Sequence, residues 1–164
     1  MIHLAKIAID GAILSALATL LISISMRTNP RIWLHDYPKE IQAAVPSKTA
    51  EEKRLSLIFG IPFLLLLAAG PLISTLTLPQ RASMPFWALF ANAFGVMFVF
   101  NVIDWLVLDW LVFCTITPSI MVIPGTQGMA AYKDYAFHFR GFLIGTLFSV
   151  VFGLVTAVIV FLLR

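Results

Sequence analysis

The sequence predicts an all-α membrane protein, a bundle of four transmembrane helices. Three observations predict it. Of the 164 residues, 60% are hydrophobic and only 12% are charged, against about 25% charged in an average soluble domain. The apolar excess is gathered into four stretches, Ile7 to Met26, Leu57 to Leu78, Pro85 to Cys114 and Gly141 to Leu163, each meeting the roughly 20 residues that a bilayer span requires. Every lysine and arginine falls outside these stretches, and the second and fourth carry no charge at all. With helices over about 7–26, 50–78, 85–114 and 130–163, and loops over 27–49 and 115–139, residues 1–164 read as one transmembrane domain.

The first stretch is longer than the apolar core of a secretory signal, and Ser23-Ile-Ser-Met-Arg27 offers no small-residue cleavage site, so it reads as a retained helix. It carries Gly11, Ser15, Thr19 and Ser23 at intervals of four. Asp10 follows Lys6 by four residues, the spacing of an ion pair along one helix face. The following loop is punctuated by Asn29-Pro30 and Tyr37-Pro38, where each proline pushes its predecessor away from helix. Lys39 to Val45 can form a turn or two. Thr49-Ala-Glu-Glu52 is the pattern of a capping box, which starts the second helix near Ala50.

The second helix contains Gly60, Pro62, Gly70 and Pro71. Each proline removes a backbone hydrogen bond that must be replaced inside a bilayer, so a kink is expected, either an ordinary one or a break lining a site. In the third helix, Trp87 to Trp105 spans about 27 Å and Trp87 to Trp110 about 35 Å at α-helical rise, bracketing a bilayer with aromatic belts. Asn101 then lies inside the membrane, Asp104 near its inner boundary and Asp109 at or beyond it. Pro118 ends this helix, Ile120 to Ile123 is a short apolar run that is extended, re-entrant or interfacial, and Pro124-Gly125 reads as a turn. From Met129 the chain can enter the fourth helix, with Asp134 and His138 one turn apart. That helix shows Gly141, Gly145, Ser149, Gly153 and Ala157 at intervals of four. Such small-residue stripes let helix backbones approach closely in lipid, and one is expected to pack internally and the other against a second subunit.

Counting charge sets an orientation. Arg27, Arg31, Lys39, Lys48, Lys53, Arg54, Lys133 and Arg140 fall on one side of the spans, and only Lys6, Arg81 and Arg164 on the other. The positive-inside rule then puts both larger loops in the cytoplasm and both termini outside. The net charge of +3 fits loops facing anionic membrane lipids rather than nucleic acid, which is not expected as a partner. The single Cys114 permits no internal disulfide and reads as a small buried filler.

A charged group at membrane depth is costly and is a functional hypothesis by default. Asn101 and Asp104 are three apart and share a face, whereas Asp109 lies roughly 140° round from Asp104 on a regular helix, so the two aspartates do not form one paired site unaided. The topology nevertheless gathers Asp104, Asp109, the Asp134/His138 pair, the Arg27/Arg31 pair and His35-Asp36 at the cytoplasmic end. Carboxylates with imidazoles could hold a divalent metal, with Asp104, Asp109 and His138 as candidate ligands, although no HExxH, DxxD or glycine-rich phosphate loop occurs. No haem is expected, because His3 lies outside and His35 and His138 belong to cytoplasmic regions. The plainer account makes Asp104 and Asp109 interfacial anchors paired with loop lysines or arginines.

The segments Asn29-Pro-Arg-Ile-Trp-Leu-His-Asp-Tyr-Pro-Lys-Glu-Ile-Gln42, Asp104-Trp-Leu-Val-Leu-Asp-Trp110 and Pro124-Gly-Thr126 through His138 resemble a group of small bacterial four-helix integral membrane proteins. The resemblance covers most of the chain and implies a bacterial cytoplasmic membrane location, with no particular reaction. Three functions stay open. One is transport or permeation of a small solute or cation by an oligomeric bundle, using Asn101, Asp104 and a broken second helix. Another is a membrane enzyme acting on lipid, with Asp104, Asp109, Asp134 and His138 as metal ligands or acid–base groups and Arg27 and Arg31 holding a headgroup. The third is a regulatory or partner subunit that docks through Gly11, Ser15, Gly141, Gly145, Ser149 and Gly153 and performs no chemistry.

Overall fold

The computed structural model describes residues 3–163. Helix α1 covers Leu4–Thr28, the short α2 Lys39–Ala43, α3 Ala50–Leu76, α4 Phe86–Ile103 and α5 Tyr135–Leu162. α4 runs on as a π-helix over Asp104–Ile116, and no strand occurs among the described residues. Four units, Leu4–Thr28, Ala50–Leu76, Phe86–Ile116 and Tyr135–Leu162, are long and apolar enough to cross a membrane. The chain is therefore built as an all-α, multi-pass membrane protein.

Local chemistry sets the helix ends. The capping box at α3 forms as its sequence requires: Thr49 Oγ1 accepts from the Glu52 amide at 3.2 Å, and Glu52 Oε2 accepts from the Thr49 amide at 2.8 Å, satisfying two otherwise orphaned donors. α5 starts later than the pattern suggests. Ala130–Lys133 is a 3-10 turn, and Asp134 is the N-cap, its carboxylate accepting from the Phe137 amide at 2.8 Å. α3 stays helical through Pro62 and Pro71, so the break considered for the second helix does not occur. The Lys6–Asp10 pair forms at 2.6 Å.

The small-residue stripes are both consumed inside the chain, on α4. A methyl group on Gly11 would come within 2.6 Å of Val99, and one on Gly153 within 3.1 Å of the Phe94 backbone. Gly145 is pressed against the Asn101 carboxamide, while Ser15 and Ser149 are buried. Only Gly141 faces open space. With α4 in the middle, α1 and α5 each make a close backbone approach to it through these residues.

Three apolar clusters stack along the bundle. Leu78, Met84, Leu89 and Val160 close the end away from the loops, Leu14, Leu67, Val96 and Phe100 fill the middle, and Met26, Leu34, Tyr37, Phe113, Ile123 and Tyr132 form a cap at the loop end. The run Ile120 to Ile123 belongs to that cap. It makes a 3-10 turn over Ser119–Met121 and sends Met121 and Ile123 inward, held by the Tyr37 hydroxyl donating to Met121 O at 2.8 Å and the Ile123 amide donating to the Tyr132 hydroxyl at 2.9 Å. Between middle and cap the helices part, and a cavity of about 590 Å³ opens.

Candidate functional site

The π-helical segment determines what faces this cavity. Its backbone bonds run from i to i+5, as in the Thr117 amide donating to Val112 O at 2.8 Å, and the Thr115 hydroxyl likewise reaches Trp110 O at 2.7 Å. Residues five apart therefore sit one above the other. The Trp105 and Trp110 rings meet edge to face with centroids 4.7 Å apart. Asp104 and Asp109, also five apart, both line the cavity. The separation of these carboxylates expected from a regular helix is thus overturned by the wider turn.

Each wall has its own origin. α4 contributes Asn101, Asp104, Trp105 and Asp109, α5 contributes His138 and Phe148, α3 contributes Phe63 and Leu67, and the 3-10 segment Pro30–Asp36 contributes Trp33, His35 and Asp36. Asn101 clamps α4 to α5, donating to Phe142 O at 3.0 Å and Thr146 Oγ1 at 3.1 Å. His138 is 5% exposed, with Nδ1 3.0 Å from Asp109 Oδ1. Its Nε2 is buried without a partner, as is the Trp105 indole Nε1. Unsatisfied buried groups of this kind are uncommon and call for an explanation.

Other sequence candidates stand elsewhere. Arg31 turns away to tie the loop to α3, its Nε 2.5 Å from Glu52 Oε1 and its Nη2 donating to Pro46 O at 2.7 Å. Arg27 is exposed and Asp134 is spent on its cap, and neither lines the cavity. Among the described residues no lysine or arginine lines it, so Arg27 and Arg31 do not hold a headgroup there. Nor do three or more His, Cys, Asp or Glu side chains come together to hold a metal ion among the described residues, so Asp104, Asp109 and His138 do not assemble as a ligand set. The cavity's aromatic walls Trp33, Phe63 and Phe148 were not singled out in the sequence, and Trp105 was read there only as a belt residue, although an aromatic content of 13% was the available signal.

At the mouth the electrostatics are acidic. Burial raises the Asp36 carboxyl above the ordinary carboxylate range and the Asp109 charge adds to this, while Lys48 and His35 pull it back. Lys48 is itself lowered, first by burial, and donates to Ile32 O and, at 2.9 Å, to Ser56 Oγ. The Tyr37 hydroxyl is pushed up by burial and by the nearby Tyr132 and Asp36. The charges of Asp36, Asp104 and Asp109 interact with one another across the site. The arrangement offers negative charge, hydrogen-bond acceptors and aromatic faces together, in a space of ordinary ligand-site size.

Some cavity-lining residues also belong to the outer surface. Leu64, Ile144 and Phe148 line the cavity and are 58%, 57% and 55% exposed, so the space opens sideways between α3 and α5 as well as toward the loops. Comparison with protein-family models, curated proteins and solved structures gives no match to this chain.

Proposed function

We propose that the chain transports a lipophilic organic cation, held in the cavity by Asp104, Asp109 and Asp36 and flanked by aromatic rings. The observation that carries this reading is the composition of the wall: three aspartates and many aromatics, with no lysine or arginine among the described residues. A carboxylate cluster in a partly enclosed site attracts a monovalent cation, and indole and phenyl faces add cation–π attraction of about 0.5–2 kcal/mol each. An anionic phospholipid headgroup would meet repulsion instead. The sideways opening lets an apolar cation enter from the bilayer, and the packed cluster around Leu89 and Val160 bars the far end, as a one-sided carrier requires.

The eight basic residues flanking the loops support placing the loop end on the cytoplasmic side of a bacterial inner membrane. The cavity is lined by a single chain, so this reading lets one copy bind. A homo-oligomer or a membrane partner subunit would use the outer faces of α1, α3 and α5, with lipid covering the rest. A second reading, a membrane enzyme with Asp109–His138 as an acid–base pair, draws on the same buried imidazole. Turnover of lipid extracts by the purified protein would favour it.

Ethidium, a planar quaternary cation, tests the transport reading in proteoliposomes loaded with the dye. The native protein is expected to raise efflux well above that from protein-free vesicles, and Asp104→Asn to return it to that background. Native efflux equal to the background would contradict it.

A further inference from the structure

Asp36, Asp104 and Asp109 line one cavity, and each uncompensated carboxylate charge held close to another raises the cost of the next. No lysine or arginine among the described residues supplies that compensation from the wall. When no organic cation is bound, the positive charge that water offers to such a cluster is the proton. Its surroundings provide for it. α4 presents Asp104 and Asp109, α5 presents His138, and the 3-10 segment presents His35 and Asp36 at the mouth, while α1 and α3 contribute only apolar wall residues and Lys48 acts on Asp36 from the loop. His138 has Nδ1 against the Asp109 carboxylate at 3.0 Å and leaves Nε2 buried with no partner, a vacant seat for a proton in a side chain 95% buried.

Resting on the cation-transport reading, we infer that the cavity exchanges the organic cation for a proton, with Asp104 as the shared seat and the Asp109–His138 pair as the acceptor of the displaced proton. When the cation docks against Asp104, the carboxyl O–H bond breaks. The proton passes to His138 Nε2, where an N–H bond forms beside the Asp109 carboxylate, and it then leaves to water past His35 and Asp36 at the mouth. Charge is conserved at each exchange, one cation in for one proton out, and no redox partner is involved. Because the two occupants compete for the one Asp104 carboxylate, both cannot be held there at once, and that exclusion couples their movements.

The test is proton release on binding. Tetraphenylphosphonium is added to the purified full chain in mild detergent with almost no buffer, and bound cation and released acid are measured together. Up to about one proton per bound cation is expected, with an affinity that weakens by up to about tenfold for each pH unit of acidification. His138→Gln is expected to release the acid several-fold more slowly after mixing while reaching the native ratio of acid to bound cation, a split between rate and amount that altered packing alone would not give. Binding with no acid release and the same affinity from pH 6 to pH 8 would overturn the exchange and leave the cation site standing. Release from His138→Gln as fast as from the native protein would overturn the role given to the pair, and failure of the native protein to bind the probe would overturn both the site and the exchange.

Discussion

Asp36 stands exposed at the cavity mouth, and partial desolvation by its neighbours, with the Asp109 charge added, still holds its carboxyl above the ordinary carboxylate range. A carboxyl raised on folding stabilises the fold fully below its ordinary value of about 4 and loses that contribution as pH climbs through the raised value. Asp36→Asn cannot ionise and so escapes the loss. The variant is expected to melt with the native protein near pH 4 and, because solvent screens the exposed carboxyl, only slightly above it at pH 7. A variant that melts below native at pH 7 would mean the ionised carboxylate is favoured, against the acidic surroundings described. At this scale the sequence marked Asp104, Asp109, His35, Asp36 and His138 correctly as residues of one end. It could not separate them from Arg31, whose partner Glu52 lies 21 residues away, or from Asp134, whose carboxylate is occupied by its own helix. Both assignments depend on where a side chain turns, which residue type and spacing leave open.

The π-helix is the element on which the site depends. Hydropathy locates a long span here but carries no signal for i to i+5 bonding, so the same-face placement of Asp104 and Asp109 was illegible from spacing alone. The tryptophans give a direct check. In a regular α-helix residues five apart point different ways, whereas here Trp105 and Trp110 touch edge to face. A double-mutant cycle of Trp105→Ala and Trp110→Ala is expected to show a coupling of about 1 kcal/mol in unfolding. Zero coupling would indicate an α-helical turn and would pull Asp109 off the cavity face. The stripe on α5 makes a second contrast. Gly145→Leu must displace Asn101, which is itself tied to Phe142 and Thr146, at a cost of about 1–3 kcal/mol. Gly141→Leu, with no atom nearby, should leave the melting temperature within a degree or two. Equal effects would mean the stripe is used by something other than α4. The stripe itself was plain in the sequence; its partner was not, because close approach is a property of two helices.

At the scale of the whole molecule, the four spans and the gathering of both loops at one end follow from hydropathy and helix count, since an even number of crossings returns the chain to the same side. The cavity does not follow from them. It exists because the apolar clusters at the far end and in the loop cap draw the helices together while the region around Asp104 is left wide, and such a difference arises from side-chain volumes summed over several elements. What enters that space is the central claim, and charge sign is its most direct probe. Equilibrium dialysis of the purified protein against tetraphenylphosphonium and against tetraphenylborate compares two ions of nearly equal size and apolar surface but opposite charge. Saturable binding of about one tetraphenylphosphonium per chain, with tetraphenylborate at least tenfold weaker, is the predicted result. Equal binding of the two ions, or preference for the anion, would contradict an acidic cation site.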